Sequence, residues 1–93
     1  MIVTPSKDFN QSLKKVTDKI ARKRLDVLVE KLEKAESLKE ISNVVPIVNN
    51  SFIYRIRTGD YRLIVEYHDG EITILLLEYL KRDDKTYKKY KLA

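Results

Sequence analysis

The spacing of apolar residues changes once along this chain, and that change sets what it can fold into. Up to about residue 35 they recur every three or four positions, the period of a helix with one buried face. Over residues 52–67 they recur every second position, the period of a strand. Phe9, Leu13 and Val16 predict a helix over residues 7–16, with Ser6 as its cap. Ile20, Leu25, Leu28 and Leu32 predict a second helix over 17–35, its stripe widened by Ala21 and Val29, with Lys23, Lys31 and Lys34 outside it. Residues 1–4 read as a short first strand that Pro5 limits. Residues 37–48 read as an irregular connection through Pro46, followed by an Asn49-Asn50-Ser51 turn. Three strands follow, over 52–57, 61–67 and 72–80, joined by Thr58-Gly59-Asp60 and by His68-Asp69-Gly70. The last is apolar at nearly every position, as a strand buried on both faces would be. Asp84 can cap a short terminal helix through about residue 91. The expected fold is therefore α+β. An N-terminal strand joins a mostly antiparallel four-stranded sheet, a helical hairpin packs on one face, and a short C-terminal helix follows.

Ninety-three residues without a Ser-, Gly- or Pro-rich linker or an internal repeat are expected to form a single domain over 1–93. At 43% hydrophobic and 35% charged, the chain is too apolar for a disordered tail and too charged for a membrane protein. The N-terminal segment MIVTPSKDF has no signal-peptide apolar stretch, so a cytoplasmic location is expected. The absence of cysteine excludes disulfides, a thiol nucleophile and thiolate metal sites, and a lone histidine argues against zinc. No metal and no cofactor is expected. The net charge of +5 makes nucleic acid or the ribosome a candidate partner, although many basic domains use such a surplus only for solubility.

The position of the arginines sharpens that candidate. Arg55 and Arg57 lie two apart on one strand and so share a face, and the next strand carries Arg62. Neighbouring strands run about 4.8 Å apart, close enough for three guanidinium groups to converge. Lys81 and Arg82 follow the last strand, and Tyr87 follows Arg82 by five residues. If that segment folds back, its arginine and aromatic ring join the cluster. Guanidinium groups clamp a phosphodiester and a phenol stacks on a base. The plainer alternative is a solvated strand face, with Tyr87 or Tyr90 sealing a core edge. His68 reads as a turn residue beside Asp69-Gly70 rather than as a general base.

The run Tyr54-Arg55-Ile56-Arg57-Thr58-Gly59-Asp60-Tyr61-Arg62-Leu63-Ile64 resembles the central signature of the RelE/ParE toxin superfamily. The helical hairpin before it, the apolar strand after it and the terminal Lys81-Arg82…Tyr87 match in order, so the resemblance spans almost the whole chain. It implies a fold like that of small microbial ribonucleases and a toxin of a type II toxin–antitoxin pair. RelE-like members cut messenger RNA in the ribosomal A site, whereas ParE-like members poison DNA gyrase and usually lack the basic cluster. The RelE-like branch is the one these arginines fit. It implies a metal-independent endoribonuclease whose catalytic residues are Arg57, Arg62, Arg82 and Tyr87, with Arg55, Lys81 and Lys85 binding RNA. The implied partners are a cognate antitoxin in a hetero-oligomer, mRNA and the A site with its 16S rRNA, with no membrane. Alternatives are a gyrase-inhibiting toxin and a non-catalytic or attenuated homologue that binds RNA or protein. One departure bears on mechanism. The best-known RelE-like pattern has lysines where this chain has Arg55 and Arg57, and arginine does not surrender its proton. Arg57 can then activate the hydroxyl electrostatically but not as a base.

Overall fold

The helices begin where side chains can take their free amide groups. In the computed structural model, which describes residues 1–47, 52–83 and 90, the Ser6 hydroxyl accepts from the Phe9 amide at 3.0 Å and starts α1 (Lys7–Lys14). The Asp18 carboxylate accepts from the Ile20 and Ala21 amides at 2.9 and 3.2 Å and starts α2 (Lys19–Lys34). Arg22 of α2 reaches back to the end of α1 and donates to the carbonyls of Leu13 and Val16, each at 2.8 Å. One side chain thus closes α1 and fixes the angle of the helical hairpin.

The strands are β1 (Ile2–Pro5), β2 (Val44–Pro46), β3 (Ile53–Thr58), β4 (Tyr61–Tyr67) and β5 (Thr73–Lys81). They form one sheet in the order β1-β5-β4-β3-β2. β1 runs parallel to β5, and the other pairings are antiparallel. The α+β architecture and the recruitment of the N-terminal strand match expectation, with five strands instead of four. The fifth, β2, falls within the stretch expected to be irregular. Three residues ending in a proline carry no readable alternation, and Pro46 is tolerated because β2 is an edge strand. The expected terminal helix falls almost wholly outside the described residues.

Both helices cover one face of the sheet. The core there joins Phe9, Leu25 and Leu32 from the helices to Leu63, Val65 and Ile74 from the strands. The buried stripe of α2 is Ala21, Leu25, Leu28 and Leu32. Ile20, expected on that stripe, is 64% exposed, because it lies one helical step (about 100°) around from Ala21. Polar groups buried here are paired. The Ser12 hydroxyl donates to the Phe9 carbonyl at 2.7 Å and accepts from the Tyr79 amide at 2.9 Å, and the Tyr79 hydroxyl donates to the Ala21 carbonyl at 2.7 Å.

β5 carries a bulge. Ile64 pairs with Glu78 but Val65 with Leu76, leaving Leu77 as the extra residue. The bulge resets the alternation, so that Tyr79 stays on the helix side while Glu78 and Leu80 share the other face with Ile64 and Arg62.

Candidate active site

The face turned away from the helices is organised by register. Arg57 on β3 lies directly opposite Arg62 on β4, and Leu80 on β5 continues the row. The next row holds Arg55, Ile64 and Glu78. Like charges placed directly opposite one another weaken a sheet unless other groups answer them, so the Arg57–Arg62 pair marks this end of the face as a candidate site.

This face is more covered than a partly open, solvated one. Ile64 is completely buried, and Arg62, Glu78 and Leu80 are buried with it. Tyr90 donates a hydrogen bond to the Glu78 carboxylate, which puts its ring over this face of the sheet. Burial, and after it the bond to Glu78, hold the Tyr90 hydroxyl well above the ordinary phenol range. Glu78 is the only charged residue between positions 72 and 80, a signal in the sequence that could have marked it.

Arg62 does not sit on a solvated strand face, the plainer alternative for these arginines. It is 7% exposed, and its Nη1 donates to the carbonyls of Gly59 at 3.1 Å and Tyr61 at 2.9 Å. The guanidinium is therefore clamped against the β3–β4 turn. That turn needs Gly59, whose φ of +61° lies in the left-handed region. Arg57 is exposed at the same end of the sheet. Arg82 is exposed too, and its amide donates to the Asp60 carbonyl at 2.9 Å, which docks the start of the C-terminal segment against the turn. Arg55 is partly buried, and its Nε is a buried donor with no hydrogen-bond partner among the described residues.

Arg55, Arg57 and Arg62 thus lie on one face, with the Arg82 backbone at its end. Lys81 does not share that face, because it pairs with Tyr61 on the helix side. Tyr87 and Lys85 lie outside the described residues. His68 sits at the far end of β4, where its ring stacks on Phe52 with centroids 4.0 Å apart and its Nε2 lies 3.1 Å from Glu66 Oε2. It belongs to the turn. Among the described residues no cluster of histidine and carboxylate groups could hold a metal ion, and no helix is long and apolar enough to cross a membrane.

The family model of the ParE toxin of the type II toxin–antitoxin system, parDE, matches residues 3–85. No curated protein matches the chain. Among solved structures, the RelB–RelE antitoxin–toxin complex from Methanococcus jannaschii is similar at 28% identity, with a TM-score of 0.76 over 92% of this chain and 96% of that one. The RelE–RelB complex from Pyrococcus horikoshii OT3 is 24% identical, with a TM-score of 0.69 over 88% of this chain and 94% of that one. The intact Escherichia coli RelBE complex shares the fold at 13% identity, with a TM-score of 0.66 over 89% of this chain and 98% of that one. This chain belongs to the ParE toxin family of type II toxin–antitoxin systems, within the RelE/ParE superfamily, and its structure is RelE-like.

Proposed function

We propose that this toxin is a metal-independent endoribonuclease that cuts mRNA in the ribosomal A site and so arrests translation. The observation that supports this most is the placement of Arg57 opposite Arg62, with Arg82 tied by its amide to the turn between their strands. Three guanidinium-bearing residues converge on one end of a sheet face where folding alone would disfavour them.

In the proposed reaction the RNA 2′-hydroxyl oxygen attacks the adjacent phosphorus. The bond from phosphorus to the 5′-oxygen breaks, leaving a 2′,3′-cyclic phosphate and a free 5′-hydroxyl. Arg57 stabilises the nucleophile as it loses its proton to water. Arg62, already aimed by two carbonyls, stabilises charge on the non-bridging oxygens. Arg82 acts at the departing oxygen, which takes a proton from solvent. Arg55 holds the backbone, Lys85 adds charge along the path of the RNA, and Tyr87 stacks on a base. Among the described residues the one carboxylate–imidazole pair, Glu66 with His68, lies at the far end of β4 from the arginines, and alignment by the ribosome supplies much of the catalysis in this reading.

The cognate antitoxin is the second partner. A groove of about 880 Å³ between α2 and β3 is rimmed by Lys23, Arg24, Lys31 and Lys34 and floored by Leu28 and Ile56, with Ile20 and Val27 exposed along it. That suits an acidic amphipathic segment of the antitoxin. Primer extension on translating ribosomes tests the enzymatic reading. Codon-positioned cuts that vanish with Arg62→Ala are expected. Intact mRNA together with inhibited gyrase would place the protein with the gyrase poisons instead.

A further inference from the structure

We propose that Arg24, on α2, is a positioning residue for the arginine site. It acts across the sheet from Arg62, through the glycine at the tip of the β3–β4 turn. The inference rests on the nuclease reading above and assigns a task to a residue on the opposite side of the sheet.

Three successive carbonyls of that turn are occupied. Gly59 and Tyr61 accept from Arg62 Nη1, and Asp60 accepts from the Arg82 amide. The turn therefore sets where Arg62 points and where the C-terminal segment begins. What steadies the turn from the helix side is the Arg24 guanidinium. A methyl group placed on Gly59 would overlap Arg24 Nη1 and lie 3.1 Å from its Cζ and 3.4 Å from its Cδ. The end of the Arg24 side chain thus lies against the Gly59 backbone. Arg24 is tied into the same corner electrostatically. Burial, and after it Tyr61, push the Tyr79 hydroxyl up to about 12, while the positive charge of Arg24 pulls it the other way.

Gly59 is consequently required twice over. Its φ of +61° alone would admit asparagine, which tolerates the left-handed region. Its missing Cβ is what admits Arg24. A fourth guanidinium beside Arg57, Arg62 and Arg82 adds repulsion to a turn that any compact neutral side chain could pack. The contact makes sense if holding the site's donors in place outweighs that repulsion.

The test is a double-mutant cycle on the full chain, combining Arg24→Ala with Gly59→Asn. Cleavage on programmed ribosomes gives kcat and KM, and amide hydrogen exchange at Arg82 reports the turn without any RNA. Each single variant is expected to lower kcat by about tenfold to a hundredfold with KM little changed, since a displacement of about 1 Å costs that much. The double variant should be no worse than either single one, because both remove the same contact. The Arg82 amide should exchange about tenfold faster in Arg24→Ala while the melting temperature holds. Arg24→Lys should not rescue, because an ammonium lacks the planar group that covers the glycine. Additive losses, a raised KM that lysine restores, or unchanged exchange at Arg82 would each overturn the proposal. Failure of the wild-type toxin to cut would overturn the nuclease reading instead, and the Arg82 exchange would still decide the role of Arg24.

Discussion

The two faces of this sheet obey different rules. Toward the helices, Leu63, Val65 and Ile74 are completely buried in apolar contacts, and every polar intrusion by Ser12 or Tyr79 is answered by a hydrogen bond. Toward the other side, the same strands set one arginine opposite another and bury Arg62 and Glu78 in a covered surface. The first face is what a chain of this size needs in order to fold. The second spends part of that stability on a convergence of charge, which is expected of a functional site.

That contrast can be broken from either side. Leu63→Ala should do most damage, costing about 2–5 kcal/mol of stability as measured by urea unfolding. Protein that remains folded should still cut RNA at the wild-type rate. Arg62→Ala should act on both properties. Cleavage on ribosomes is expected to fall by about a hundredfold or more. Because Arg62 is buried and holds two carbonyls, stability should also fall, by about 1–3 kcal/mol. Unimpaired cutting by folded Arg62→Ala protein would remove it from the mechanism.

Tyr79 sharpens the comparison through pH. Its hydroxyl titrates near 12 when folded and near 10 in an open chain, so the folded state keeps a proton that the unfolded state gives up. The stability linked to it is fully present below pH 10 and is lost as pH rises from 10 toward 12, by up to about 2–3 kcal/mol. Tyr79→Phe should flatten that part of the stability profile, as seen in unfolding curves taken across this range, and lower stability at neutral pH by about 1 kcal/mol through the lost bond to Ala21. An unchanged alkaline slope would assign it to other groups. The smallest effect belongs to Arg57→Gln. Removing one of two opposed charges at an exposed position should raise stability slightly, by about 0.2–1 kcal/mol in thermal melts, while cleavage falls. Lost stability there would mean that the pair supports the fold.

The sequence by itself determined the order of helices and strands, the Ser6 cap, the β3–β4 turn and the common face of Arg55, Arg57 and Arg62. All of these follow from local periodicity and from short spacings within one hairpin. It did not determine β2, because three residues ending in Pro46 carry too little alternation and are held only by their neighbour β3. The apolar run of β5 hid the bulge at Leu77, and with it the side on which Glu78 lies, because a strand without alternation does not reveal its register. The burial of Arg62 depended on Gly59 and Tyr61 offering their carbonyls to it, and the contact of Arg24 with Gly59 joins positions 35 residues apart in sequence. Tertiary structure decided those features, because each depends on how separate elements pack and no local spacing encodes that.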